Sequence, residues 1–210
     1  MEKKHIITLS GKPGSGKSST ADKVAELLQY TRYSAGDIVR KTLKKHHLTL
    51  EEFNAKAEKD HEVDHYIDEE LRKLRDEREI VIDSRLGFYW IPESFKVYLE
   101  LDLEVSAARI FKDRISNASR SVEEDGDSTI ASVQKDVRER VANERKRYQK
   151  AYGVDPYDLE HFDLVIDTSR HSPQTVALTV FDHYRKWLQT DGWEQVRESV
   201  PLGYSYKNQY

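Results

Sequence analysis

Short apolar runs rich in β-branched residues alternate along the chain with longer segments in which apolar residues recur at helical spacing. The runs lie at residues 5–9, 31–34, 79–83, 95–101 and 162–167. The first is nearly continuous in apolar character, which is typical of a parallel strand buried on both faces. The pattern therefore predicts strands at these five places, with helices between them.

Several helical segments begin with recognisable start signals. Thr49 and Glu52 form a possible capping box, Asp102 can cap the helix that follows it, and Ser172 precedes a proline at a favourable first position. The last helix carries an apolar stripe of core-packing residues, namely Val176, Ala177, Val180, Phe181, Tyr184, Trp187 and Leu188. Strands alternating with helices predict an α/β fold of three layers, in which helices cover both faces of a parallel five-stranded sheet.

A glycine-rich run directly follows the first strand. Residues 11–18 read G-K-P-G-S-G-K-S, which matches the phosphate-binding pattern G-x-x-x-x-G-K-[ST] at every fixed position. Glycines let the backbone N–H groups face phosphate oxygens at the start of the next helix. The pattern predicts a P-loop that binds a nucleoside triphosphate through Gly11, Lys12, Pro13, Gly14, Ser15, Gly16, Lys17, Ser18 and Ser19.

Three side chains near this run are candidates for catalysis and metal binding. Lys17 can bring its charge to the β- and γ-phosphates, and the Ser18 hydroxyl can ligate Mg²⁺. Asp83 ends an apolar strand, where an acid can hold the same ion through water. A strand-end cap is the alternative role for Asp83.

Composition limits the class of protein. Charged residues make up 34% of the chain but leave a net charge of only −4, which argues against a dedicated nucleic-acid-binding protein. Cysteine is absent, so neither disulfides nor thiolate sites are possible, and a reducing cytoplasm is the expected compartment. No run approaches 18 apolar residues, so we expect no membrane segment.

Two segments interrupt the alternation of strands and helices. Residues 37–77 are helical and charged but too long for one crossover helix, and residues 115–130 are polar with few apolar anchors. P-loop kinases of small molecules use two such inserts, one for the acceptor and one as a lid. We therefore predict one kinase domain over residues 1–190, with an acceptor-binding insert at 37–77, a lid loop at 115–130 and a tail at 191–210.

Many short motifs resemble the archaeal-type cytidylate kinases, which are P-loop nucleoside monophosphate kinases. Residues 34–40 (S-A-G-D-I-V-R) are similar to the S-x-G-D-x-x-R element, and residues 83–86 (D-S-R-L) are similar to the D-G-R-L element. Further matches follow in the family's order as L-E-E-F at 50–53, R-Y at 147–148, Y-G-V-D at 152–155 and F-D-L-V-I-D-T at 162–168. The resemblance covers residues 5–170.

The resemblance implies an acceptor site for a nucleoside monophosphate. It places Ser34, Asp37, Arg40 and Arg85 at that site, and the residue types fit this role because an arginine fork can hold a monophosphate in line with the donor. An acceptor phosphate is already ionised at pH 7 and needs no general base. Mutual repulsion of the phosphates is the obstacle, and fixed cations can offset it.

A second group of charges lies in the helical stretch after the lid. Arg140 and Arg147 are seven residues apart with Glu144 between them, so they share one helical face. The pattern resembles the lid helix of cytidylate kinases, which implies that the arginines reach the phosphates and the acid orients one of them. A surface helix with ion pairs is the alternative. Arg109 and Arg114 are weaker candidates for phosphate contact.

The residues that select the base are the least defined. Asp64 and Asp68 share a helical face with Asp60 one turn earlier, and one of these acids can accept a hydrogen bond from the cytosine amino group. A solvated acidic face is an equal alternative. Ser84 stands where the family usually has glycine, and residues 87–90 (G-F-Y-W) are more aromatic than expected.

The sequence as a whole predicts a cytoplasmic, monomeric kinase that transfers the γ-phosphoryl group of ATP to CMP or dCMP with Mg²⁺. A kinase for UMP or AMP is the alternative within the class. A P-loop binding module without turnover and a 5′-end nucleic-acid kinase are alternatives from other classes. The first would not need Arg40 and Arg85, and the second would need a basic channel that the charge balance does not suggest.

Overall fold

A computed structural model describes residues 3–46, 62–116 and 129–198, and it contains one six-stranded parallel sheet. The order of strands in the sheet is β2-β3-β1-β4-β5-β6. The strands are β1 (Ile6–Gly11), β2 (Thr31–Ser34), β3 (Ile80–Asp83), β4 (Phe95–Glu100), β5 (Leu164–Asp167) and β6 (Val196–Glu198). Chain order reverses across β1, so the carboxyl end of β1 opens into a crevice between its two neighbours.

Seven α-helices within the described ranges connect or cover these strands. They are α1 (Lys17–Leu28), α2 (Ala35–His46), α3 (Glu62–Lys73), α4 (Gly87–Trp90), α5 (Leu103–Ser116), α6 (Ile130–Tyr152) and α7 (Pro173–Gln189). Short 3₁₀ turns lie at Leu74–Asp76 and Leu159–His161. In the part of the chain that the structure describes, no helix combines the length and the apolar character required to cross a bilayer.

The two faces of the sheet pack against different helices, as the alternation of side chains along β1 shows. Ile7 and Leu9 join a core with α1 and α7, whereas Ile6 lies in the opposite core with α3. A third apolar cluster on that second face joins β4 and β5 to α5 and α6. Because the strands are buried on both sides, their near-continuous apolar runs are explained. The predicted three-layer α/β class is confirmed.

The sheet has one strand more than predicted. Val196 pairs with Leu164 and Glu198 pairs with Ile166, so β6 extends the sheet beyond residue 190, where the predicted tail begins. Trp193 Nε1 donates a hydrogen bond to the Asp163 carbonyl at 3.1 Å and fixes the approach to this strand. A three-residue strand has no period that a sequence pattern can reveal.

Helix starts agree with the sequence at some places and lie outside the description at others. Ser172 caps α7 by accepting a hydrogen bond from the Thr175 amide. An unpredicted capping box of Thr129 and Ser132 begins α6. The predicted capping box of Thr49 and Glu52 falls outside the described residues, as does most of the predicted lid loop at 115–130, since only its ends belong to α5 and α6.

Candidate active site

The glycine-rich run forms the turn between β1 and α1. Gly11 has a φ of 146°, and a Cβ there would lie 2.5 Å from the Leu99 carbonyl oxygen of the neighbouring strand. Gly16 has a φ of 85° at the start of α1. Both positions therefore exclude ordinary side chains for physical reasons. Ser106 in α5 donates a hydrogen bond to the Pro13 carbonyl at 2.7 Å and anchors the loop from outside.

The Lys17 side chain curls back over this loop. Its Nζ donates to the carbonyl oxygens of Gly11 and Lys12, each at 2.8 Å. Burial and the nearby Arg85 guanidinium lower the pKa of Lys17 to about 7. Asp83, Glu144 and Arg140 also act on this pKa, so all four of these charged groups surround the ammonium group.

Ser18 and Asp83 lie together at the mouth of the loop, as predicted for a shared metal site. The Ser18 hydroxyl donates to Asp83 Oδ2 at 2.6 Å, and Arg32 Nη2 lies 3.4 Å from the same oxygen. This pair of hard oxygen donors fits Mg²⁺, which binds through one or two protein oxygens and keeps several waters or phosphate oxygens. The described residues contain no cluster of three or more acids or histidines that would favour a dedicated all-protein cage.

Glu144 is the centre of a buried charge cluster. This side chain is 8% exposed and forms ion pairs with Arg85 at the end of β3 and with Arg140 one turn earlier in α6. The Tyr157 hydroxyl donates to Glu144 Oε2. Burial alone would raise the pKa of Glu144, but the two arginines and this hydroxyl hold the pKa at about 2. The carboxylate is therefore ionised and binds the two guanidinium groups into one unit.

Arg147 lies further along the same helix. Its Nη2 donates to the Tyr148 hydroxyl at 3.1 Å, and its guanidinium lies 4.9 Å from the centre of that ring. Arg140 and Glu144 are thus joined directly, while Arg147 is held by an aromatic neighbour. Of the weaker candidates, Arg114 lies 3.9 Å from Asp136 in α6.

Three of the predicted acceptor residues lie where β2 passes into α2, whereas Arg85 belongs to the Glu144 cluster. Ser34 is buried at the end of β2, and Asp37 in the first turn of α2 pairs with Arg40 at 2.5 Å. The hydrogen bond from Arg40 lowers the pKa of Asp37. Arg40 itself is 66% exposed, so its guanidinium can reorient towards a ligand. Arg32 also approaches Asp37, at 3.5 Å.

The acids nominated for base selection do not form a comparable group. Asp60 and the Asp64 side chain fall outside the description, although Asp64 belongs to α3. Asp68 is 3% exposed, and its carboxylate oxygens accept hydrogen bonds from Trp90 Nε1 and the Tyr152 hydroxyl. An acid so enclosed is not part of a solvated acidic face.

A recess of about 200 Å³ lies beside the glycine-rich loop, next to Arg109 and Thr168. Loop residues form one wall, and the opposite walls come from α5 and from the turn between β5 and α7. Its lining includes Gly14, Gly16, Thr20, Arg109, Thr168 and His171. Arg109 Nη2 donates to the Thr168 carbonyl at 2.5 Å, so this arginine forms part of the recess wall.

Two residues of the site escaped sequence reasoning. Arg32 connects Asp83 with Asp37 and with Asp22 at the start of the P-loop helix, yet it lies in a strand of mixed character that gives no functional signal. Tyr157 lies two residues beyond the run at 152–155 that resembles the kinases. Its hydroxyl donates to Glu144, and its amide donates to Asp155 Oδ1 at 3.0 Å, which holds the turn that carries it.

Comparison with known proteins gives consistent results. A family model for the cytidylate kinase-like family matches residues 6–170. The chain is 35% identical over 199 residues to a cytidylate kinase of Halobacterium salinarum, which covers 93% of this chain and 94% of that protein. It is also 35% identical over 182 residues to an S-adenosylmethionine-dependent nucleotide dehydratase of Lacinutrix mariniflava, but these are 86% of this chain and only 36% of that protein.

Among solved structures, a shikimate kinase from Acinetobacter baumannii superposes with a TM-score of 0.57. The superposition covers 88% of this chain and 95% of the other, at 15% sequence identity. At that identity the likeness concerns the fold, which both chains share.

Proposed function

We propose that the acceptor of this protein is CMP or dCMP and that its donor is ATP. The chain belongs to the cytidylate kinase-like family, so it is a phosphotransferase that acts on nucleoside monophosphates. The convergence of charges on the P-loop is the observation that carries the phosphoryl-transfer part of this proposal, and the likeness to a cytidylate kinase supports the choice of cytosine. Lys17, Arg85, Arg140 and Glu144 lie close enough to act on one another's ionisation. A site of this composition suits a reaction whose main obstacle is repulsion between phosphates.

Donor binding follows from the shape of the loop. Backbone N–H groups at the start of α1 can hold the phosphates, while the recess beside Arg109 and Thr168 offers a place for the rest of the nucleotide. Mg²⁺, held by Ser18 and through water by Asp83, would neutralise charge on the β- and γ-phosphates. Lys17 would leave its two carbonyl partners and bind these phosphates in their place.

Acceptor binding is assigned to the opposite side of the crevice. Arg85 and the exposed Arg40 hold the monophosphate, with Ser34 and Asp37 beside it. An oxygen of this phosphate attacks the γ-phosphorus, the bond to the β-phosphate bridging oxygen breaks, and ADP leaves. Arg140 and Arg147 offset the negative charge that develops on the phosphates during transfer. Glu144 holds the guanidinium groups of Arg85 and Arg140 in place before the substrates bind.

The domain boundaries follow the sheet. We assign residues 37–77 to the acceptor insert and 115–130 to the lid, as the sequence suggests. The kinase domain extends at least to Glu198, since β6 belongs to the same sheet as the P-loop strand.

A coupled assay of ATP with a panel of monophosphates tests the proposal. CMP or dCMP should give a kcat/KM at least about tenfold above those of UMP and AMP. A preference for UMP or AMP would overturn the base assignment and leave the kinase assignment intact. Binding of ATP without turnover of any monophosphate would support the alternative of a binding module.

A further inference from the structure

Asp68 carries a buried carboxylate that joins three separate elements. It lies on α3, accepts a hydrogen bond from Trp90 Nε1 at 2.9 Å, and accepts another from the Tyr152 hydroxyl. Trp90 is the last residue of α4, and Tyr152 is the last residue of α6. A carboxylate with 3% exposure needs such donors, because an ionised group without them is costly to bury.

The three elements are those that carry the proposed transfer machinery. α3 belongs to the proposed acceptor insert. α4 begins two residues after Arg85, and α6 carries Arg140 about three turns and Glu144 about two turns before Tyr152. The ion pair of Arg85 and Glu144 already joins the start of α4 to α6. Asp68 makes a second connection at the other ends of these helices and brings α3 into it.

Trp90 is held on several sides at this junction. The Arg72 guanidinium, one turn after Asp68 on α3, lies 3.9 Å from the centre of its ring system. The rings of Tyr89 and Tyr152 contact it edge-on at 4.6 and 5.6 Å between centroids. α3 therefore contacts Trp90 through both a hydrogen bond and a cation–π interaction, which fixes the position of this helix along α4.

We propose that Asp68, Trp90 and Tyr152 form a latch that sets the acceptor insert at a fixed distance from Arg85 and from the helix of Arg140 and Glu144. The proposal rests on the proposed function, because it gives α3 its role in acceptor binding. Asp68 is a positioning residue that acts through the elements it joins, rather than a contact to the base. Loosening the latch lets α3 move away from the monophosphate site while the P-loop, built from β1 and α1, keeps its shape.

Tyr152→Phe is the sharpest test, because it removes one hydroxyl and retains the ring contacts with Tyr89 and Trp90. We expect the KM for CMP to rise about tenfold while the KM for ATP stays within about twofold of the wild-type value. Asp68→Asn should have the same effect. Both variants remove the same hydrogen bond. The KM for CMP of the double variant should therefore be similar to that of the more impaired single variant, and the two effects should not multiply.

Tyr184→Phe is the matched control. It removes another buried tyrosine hydroxyl, bonded to the Tyr30 hydroxyl at 3.2 Å on the opposite face of the sheet, and should change neither KM. The latch is overturned if folded Tyr152→Phe keeps its KM for CMP within about twofold, or if both KM values rise by the same factor. Failure of the proposed function is a distinct result, since the wild-type protein would then prefer another monophosphate or phosphorylate none.

Discussion

The proposed donor half of the site and the proposed transfer half are built in contrasting ways. The P-loop uses backbone groups from one contiguous run, and its shape depends on glycines such as Gly11 and Gly16. The Glu144 cluster uses side chains from the turn after β3, from α6 and from the segment that follows α6. Backbone recognition is set by local conformation, whereas the cluster exists only when distant elements are correctly packed. Substitutions should therefore affect the two halves differently.

Lys17→Met should have the largest effect, because it removes the P-loop cation that we assign to the β- and γ-phosphates. The structure places Lys17 Nζ on loop carbonyls, so the loop loses two hydrogen bonds but none of its core packing. We expect kcat to fall by about 10²–10³-fold with little change in melting temperature. Steady-state kinetics with CMP and a thermal melt check this, and near-normal turnover in the folded variant would contradict the P-loop assignment.

Arg85→Ala should separate the halves most clearly. We expect the KM for the acceptor to rise about 10- to 100-fold, because the variant loses a guanidinium held towards the monophosphate site. ATP affinity, measured by calorimetry without acceptor, should stay close to that of the wild-type protein. Arg40→Ala is the comparison variant and should act in the same direction. Equal loss of ATP affinity would place these arginines on the donor side.

Glu144→Gln should affect both stability and activity, since the carboxylate holds two arginines together. We expect a loss of about 1–3 kcal/mol in the free energy of unfolding at pH 7 and a fall in kcat. The pKa of about 2 lies below the ordinary value, so the carboxylate stabilises the fold above pH 4.5 and loses this contribution as the pH falls towards 2. Urea titrations across that range should show wild type and variant converging in acid.

Tyr157→Phe is the milder companion to that variant. It removes one donor to Glu144 and leaves both arginines, so its stability loss should be about 1 kcal/mol and smaller than that of Glu144→Gln. A loss equal to that of Glu144→Gln would mean that the hydroxyl, rather than the arginines, supports the carboxylate.

Proton uptake on ATP binding should be the smallest effect, at less than one proton per site. The pKa of Lys17 is about 7, so at pH 8 the amine is mostly neutral, and bound phosphates should favour its charged form. Binding at pH 8 should therefore take up protons, and binding at pH 6 should take up almost none. Calorimetry in buffers of different ionisation enthalpy measures this, and Lys17→Met should abolish the uptake at pH 8.

The same contrast explains what the sequence could predict. The P-loop is contiguous, so its motif predicted the loop together with Ser18. Asp83 was predicted separately, from its place at the end of an apolar strand, and the structure brings its Oδ2 to 2.6 Å from the Ser18 hydroxyl. Glu144 was predictable as a partner of Arg140, because helical spacing is regular. Its contacts with Arg85 and Tyr157 depend on how α6 packs against β3 and on the turn beyond α6, which no local pattern encodes. For Asp68 the spacing left a base contact and a solvated acidic face as equal alternatives, because spacing does not report burial; its 3% exposure excludes the solvated face.

The packing of α1 has a consequence for the order in which the protein is synthesised and folds. α1 emerges from the ribosome early, yet its apolar side faces α7, and the Tyr30 hydroxyl near its end meets Tyr184 of that last helix. Likewise, β1 has no neighbouring strands to pair with until β3 and β4 have been synthesised. α1 is therefore synthesised well before the helix and the strands that cover its surroundings. A nascent or truncated chain that lacks α7 would contain the complete P-loop motif, but the apolar side of α1 would be exposed to solvent.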